Sequence, residues 1–183
     1  MTDPGCNAGT GVCTIRPLTA GYVISVSVTI DGYTQPGATV NTLANGDNAQ
    51  LKIEIDGTLA TGNTFGLAFQ GNGNLVRGLV MHGFGNGALR FGGAGDIATG
   101  NFLGTNPSGT LAAGGTSRLI TVASSATNTR IGGLTPAERN LISGEFDPAN
   151  TLAEGMSVQG AAGTIIQGKF IGMLYFFWQQ TQY

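Results

Sequence analysis

The sequence predicts an all-β fold, a right-handed parallel β-helix of about five to six coils, and three observations carry that expectation. The first is a recurring phrase in which a short apolar strand closes on Gly, a few small or polar residues follow, and a second strand ends in or near Gly. It reads Gly66-Leu-Ala-Phe-Gln-Gly71 then Leu75–Val80, Gly87–Gly92 then Ile97–Gly104, Arg118–Val122 then Arg139–Gly144, and Gly155–Gly160 then Thr164–Gly172. A strand-rich, turn-punctuated period of roughly 20 residues or more marks a β-solenoid, and parallel crossovers are right-handed. The second observation is the 32 glycines among 183 residues, which follow no Gly-X-Y triplet and so exclude collagen. The third is the placement of the apolar 41%, in short alternating or continuous runs between turn signals, which suits strands and excludes disorder.

In chain order, residues 1–22 read as an irregular lead-in or cap, residues 23–172 as the helix and residues 173–183 as a tail. Cys6 and Cys13 lie seven apart in the lead-in; a disulfide closing that small loop and two unrelated thiols are both open readings. The first strand is Val23–Ile30, with Ile24, Val26, Val28 and Ile30 on one face and Ser and Thr opposite. It closes at Asp31-Gly32, and a polar turn region with Pro36-Gly37 and Asn45-Gly46 leads to a second strand, Leu51–Asp56. The two Ile-Asp-Gly endings are 25 residues apart, a plausible coil length, so Asp31 and Asp56 are expected to be equivalent positions of neighbouring coils. Extra length in later repeats falls in Thr105–Gly115, Leu134–Arg139 and Glu145–Glu154, read as loops from one corner of the solenoid. Only Pro136–Asn140 has the makings of a helical turn.

Stacked strands bring equivalent side chains within about 4.8 Å. Leu67, Phe69, Leu89, Phe91, Met156 and Val158 are the expected inward column, and Asn101 and Asn140 an amide ladder whose last position is taken by Lys169. Met173–Trp178, six consecutive large apolar residues, is read as a cap over the last coil or as a surface for self-association.

Composition limits the partners. Only 10% of residues are charged, the net charge is −2 and the eight basic residues are scattered, which excludes a nucleic-acid reader. No run approaches the ~20 apolar residues of a membrane-spanning helix, and no signal segment is visible at the N-terminus.

Four stretches, Val28–Gly37, Asn74–Val80, Gly100–Thr105 and Ile131–Gly144, resemble the repeats of large secreted bacterial right-handed parallel β-helix proteins. Those proteins are related in shape to pectate-lyase-like enzymes and to surface adhesins. The resemblance covers about residues 23–172 and implies the fold, an extracellular or cell-surface location, and a polysaccharide or cell-surface glycan as partner. The tail after Gly172 is foreign to the repeat.

Candidate site residues are few. With Asp31 and Asp56 equivalent, alternation sends Asp31, Glu54 and Asp56 outward together. Such a group reads as paired catalytic carboxylates of a glycosidase, as a calcium site built on Asp31 and Asp56 with no other cofactor required, or as turn-forming Asp-Gly pairs. His82 is the only histidine, and Arg77 and Arg90 read as neighbouring outward cations, the three together being candidate substrate-binding residues. Tyr22, Tyr33, Phe84 and Phe146 adjoin turns, where they either stack on sugar rings or pack the turns themselves. Two functions follow as expectations: a non-enzymatic module acting as scaffold, adhesin segment or glycan-binding surface, and a carbohydrate-active hydrolase or lyase working along one outer face.

Overall fold

A computed structural model describes residues 5–62, 64–114, 118–144 and 154–172. The expected aromatic cap at Met173–Trp178 and the turn-adjacent Phe146 lie outside the described residues. The chain is a parallel β-helix. Strand β1 (Cys13–Ile15) is followed by five coils of three short strands each. They are β2 (Tyr22–Ile24), β3 (Thr29–Asp31) and β4 (Ile53–Asp56); β5 (Phe65–Phe69), β6 (Leu75–Arg77) and β7 (Leu79–His82); β8 (Gly87–Phe91), β9 (Ile97–Thr99) and β10 (Phe102–Leu103); β11 (Arg118–Val122), β12 (Arg130–Gly132) and β13 (Asn140–Ile142); and β14 (Glu154–Val158), β15 (Ile165–Gln167) and β16 (Lys169–Ile171).

Every third strand stacks in parallel. Sheet A runs β1-β4-β7-β10-β13-β16, sheet B β2-β5-β8-β11-β14 and sheet C β3-β6-β9-β12-β15. The shortest turn of the helix takes 22 residues, since Leu67 pairs with Leu89 and Val80 with Phe102.

Three strands per coil, where the repeated phrase suggests two, follow from glycine at the corner between sheets C and A. Gly78 alone separates β6 from β7 with φ +71°, a left-handed conformation that an L side chain resists. A Cβ there would lie 2.8 Å from the Tyr33 ring. A bend at a different corner corrects the expected strand Val23–Ile30. It is two strands across the B–C corner, and Val26 at the bend is exposed while Ile24, Val28 and Ile30 pack on the core. Insertions occur at two corners, not one: residues 32–52 and 133–139 between sheets C and A, and residues 104–117 and 143–153 between sheets A and B. Residues 136–138 form the one anticipated turn of 3-10 helix. The lead-in also contributes more than a cap, because Cys13–Ile15 pairs in register with Ile53–Ile55 and belongs to sheet A.

The core is the inner column. Leu67, Phe69, Leu89 and Phe91 are buried as expected, and the Phe69 and Phe91 rings stack with centroids 5.3 Å apart. Met156 packs at its edge, but Val158 is 42% exposed because it sits in the last described coil. A second apolar cluster covers the outer face of sheet A. Val80, Phe102, Leu141 and Phe170 share one outward column there, and Ala49 and Leu51 of the long 32–52 excursion lie over it with Tyr33. From Val80 to Phe170 sheet A is therefore apolar on both faces, which is why β7 reads as an apolar run up to His82.

Two polar columns line the corners. The Asn101–Asn140 ladder is present: both side chains are fully buried, and Asn101 donates from its backbone N–H (2.9 Å) and Nδ2 (3.0 Å) to Asn140 Oδ1. Lys169 follows in register, its Nζ donating to the Gln167 carbonyl at 3.0 Å. Burial and the nearby Arg130 guanidinium push its ammonium down to about 7.

The second column, at the B–C corner, pairs Asn74 with Asp96. Asn74 donates from its backbone N–H and Nδ2 to Asp96 Oδ1, and its Nδ2 also donates to the Gly71 carbonyl. Asp96 is fully buried and its Oδ2 has no partner. An Asn at 96 would keep the accepting Oδ1 and put a donor where the unpartnered oxygen stands, as Nδ2 does in Asn74. Asp96→Asn is therefore expected to raise stability by about 1 kcal/mol, checked by urea unfolding; a loss would show that Oδ2 serves a partner.

Candidate functional site

Asp31 and Asp56 are not equivalent. Asp31 ends β3 in sheet C and pairs with Arg77, whereas Asp56 ends β4 in sheet A and pairs with His82. The two Ile-Asp-Gly segments match because they do the same local work within one coil. Each Asp closes a strand and caps a single 3-10 turn, with Asp31 Oδ1 accepting from Tyr33 N–H and Asp56 Oδ1 from Thr58 N–H, both at 3.0 Å. The expected outward trio thus divides. Glu54 and Asp56 stay together, and Asp31 belongs to another face. The same register removes the Asp31–Asp56 pairing on which the calcium expectation rests. Among the described residues no group of three or more His, Cys, Asp or Glu could hold a metal ion.

What sheet A assembles is a histidine between two carboxylates. Ile53 and Ile55 face the core, so Glu54 and Asp56 face out, and β7 brings His82 alongside. His82 Nε2 lies 3.1 Å from Glu54 Oε1, and Nδ1 lies 3.7 Å from Asp56 Oδ1 without a hydrogen-bond partner. The imidazole is buried, at 7% exposure. Each carboxylate is also held from the first strand and its extension: Thr14 Oγ1 donates to Glu54 Oε2 at 2.6 Å, and Arg16 Nε donates to Asp56 Oδ2 at 2.9 Å. Thr58 Oγ1 adds a bond to Asp56 Oδ1 at 2.7 Å.

The hydrogen bond from His82 holds the Glu54 carboxyl below its usual range against the opposing effect of burial, with Thr14 helping. Burial pushes Asp56 up, but bonds from Thr58 and Arg16 outweigh it and leave that carboxyl lowered as well. Thr14 and Arg16 carry no motif. Only the alternation of Cys13-Thr-Ile15 with Ile53-Glu-Ile55 signals their place, 40 positions apart and masked by the long excursion.

Arg77 and Arg90 are not neighbours. Arg77 lies in sheet C, where its guanidinium donates to Asp31 Oδ2 at 2.6 Å and lowers that carboxyl. Arg90 lies in sheet B between Ala68 and Thr121 on the outward side. Among the aromatics, Phe84 is buried in the core and Tyr33 is held by its hydroxyl to the Gly100 carbonyl at 2.7 Å, both packing turns; Tyr22 is exposed. Cys6 and Cys13 form a disulfide.

Asp31, Glu54, Asp56 and Glu138 all have lowered carboxyls, against Asp47 alone raised by burial, so these four make the folded state hold fewer protons than the unfolded state in the acid range. Their contribution is present above the unfolded values near 4 and is lost as pH falls through the folded ones. The melting temperature should therefore fall steadily from about pH 5 downward; a flat acid limb in differential scanning calorimetry would contradict these pairings.

No family model, curated protein or solved structure matches this chain.

Proposed function

We propose that this chain is a non-catalytic, extracellular β-helix module that offers its outer faces to a polysaccharide or cell-surface glycan, as a scaffold or adhesive segment. The observation that carries this reading is the engagement of its acids. Among the described residues, every carboxylate from Asp31 to Glu154 already accepts a hydrogen bond from the chain itself. Glycoside chemistry needs an acid and a base that can meet the substrate. His82, the one imidazole, is buried between Glu54 and Asp56. The Cys6–Cys13 disulfide supports an oxidising, extracellular setting. Outward and exposed positions such as Val23 on sheet B and Arg77 on sheet C leave two long faces for an extended polymer.

Affinity electrophoresis through gels cast with neutral and acidic polysaccharides, with calcium or with EDTA, tests this reading alongside an assay for new reducing ends. The expected outcome is retardation by at least one polymer with no product formed. Product release would replace the proposal by a carbohydrate-active enzyme, with Glu54, Asp56 and Asp31 the acids to vary. Loss of retardation in EDTA would bring calcium back as a cofactor, and no retardation by any polymer would remove the glycan partner.

A further inference from the structure

The register of sheet B sets one outward column, Val23, Ala68, Arg90, Thr121 and Ser157. Arg90 is its only charged member, and the residues stacked on either side of it, Ala68 and Thr121, are small. Four of the other arginines, Arg16, Arg77, Arg118 and Arg130, each pair with a carboxylate, and Arg139 donates to the Leu43 carbonyl. Among the described residues Arg90 has no such partner, so its guanidinium keeps every donor unused. Thr121 Oγ1, next in the column, is buried and likewise has no partner.

Two glycines decide where that guanidinium lies. Gly92-Gly93 follow β8 at the B–C corner. A Cβ at Gly92 would stand 3.2 Å from Arg90 Nη1 and 3.7 Å from Ser125 Oγ, and one at Gly93 would stand 3.0 Å from Asn72 Oδ1. Polar side chains from three successive coils thus meet around a patch of bare backbone. Asn72 and Ser125 are exposed there and Arg90 is half-buried. Asn72 Oδ1 accepts from Ala94 N–H, which leaves its Nδ2 as a spare donor among the described residues. The Ser125 hydroxyl donates to the Gly92 carbonyl at 3.0 Å, which leaves its lone pairs to accept from outside.

We propose that Arg90, Asn72 and Ser125 form an anion subsite for an acidic unit of the glycan, a sugar carrying a carboxylate or a sulfate ester. The proposal rests on the reading of the outer faces as glycan-binding surfaces and names the chemistry that one of them selects. The guanidinium fork matches two oxygens of such a group, and charge strengthens both bonds. Asn72 Nδ2 supplies a further donor, while Ser125 Oγ accepts from a hydroxyl of the same or the next sugar. A neutral sugar offers the fork no charged acceptor, so it forgoes the charge-assisted bonds. The net charge of −2 repels polyanions as a whole, so a preference for them must come from a local site.

Affinity electrophoresis of the full chain tests this with polymers in matched pairs, a polyuronate with its carboxyl-reduced form and a sulfated galactan with its desulfated form. Wild type should bind at least one acidic form about tenfold more tightly than its neutral partner, and the pair that shows the preference identifies the acid group. Arg90→Gln should abolish the preference with an unchanged circular dichroism spectrum. Arg90→Lys should lose most of it, because an ammonium cannot reproduce the fork, so a folding defect in one variant leaves the other to decide. Arg118→Gln removes the same charge from the same sheet and should keep the preference. Equal retardation by acidic and neutral forms overturns the inference and leaves the glycan reading standing. A preference that survives both Arg90 variants, or that Arg118→Gln also removes, overturns it as well. No retardation by any polymer overturns both readings together.

Discussion

Replacing Asn101 by Ala is expected to lower the stability of the helix by about 3 kcal/mol, a large share of the ~5–15 kcal/mol that holds a domain together. Its Oδ1 accepts from the buried Leu79 N–H at 3.1 Å, and its Nδ2 donates to the Val76 carbonyl at 3.1 Å and to Asn140 Oδ1 at 3.0 Å. The side chain is fully buried, so water cannot replace these bonds. Truncation leaves a backbone donor and a backbone acceptor of the coil below short of a partner in a dry corner, while Asn140 Oδ1 keeps only the backbone N–H of residue 101. A useful contrast is Asn72, whose exposed amide accepts one bond from Ala94 N–H at 2.8 Å; Asn72→Ala should lose about 1 kcal/mol or less. Urea unfolding of the two variants decides the matter. Equal losses at 101 and 72 would mean that the ladder contributes no more than a surface turn.

The ladder was legible in the sequence because Asn101 and Asn140 stand in the same local phrase, immediately ahead of two apolar residues in a strand that returns every coil. Inward positions such as Leu67, Phe69, Leu89 and Phe91 were legible for the same reason. Register across long insertions was not. A local match such as Ile-Asp-Gly reports the turn that follows, and any strand closing on a 3-10 turn selects it, whichever sheet it belongs to. The residues between β3 and β4 are about as long as a whole coil, so spacing alone took two sheets of one coil for one sheet of two coils. Alternation through Val23–Ile30 misled in a related way, since inward positions on either side of a corner continue the period while the corner residue Val26 turns out. The candidate site was half legible. Glu54 and Asp56 follow from alternation, but the side chains that complete the cluster come from β1 and β7, and only the true register brings Thr14, Arg16 and His82 to them.

That cluster yields the second large effect, and it separates the two functions. His82→Ala should lower stability by about 2 kcal/mol at neutral pH, the scale of a hydrogen bond to a charged group. Without the imidazole, Glu54 keeps only Thr14, and it stands beside Asp56 with Arg16 bonded to Asp56 alone. The loss should depend on pH with a definite sign. Glu54 is a depressed carboxyl whose first cause is the His82 bond, so its contribution is full above the unfolded value near 4 and vanishes as pH falls through the folded value. The gap in melting temperature between wild type and His82→Ala should accordingly be wide at pH 6–7 and narrow toward pH 2. Glycan retardation, measured at a temperature where both proteins are folded, should be unchanged, because the imidazole clamps the first coil to the second from a buried position. A variant as stable as wild type that has lost binding or turnover would reverse the assignment and make His82 a residue of the working site.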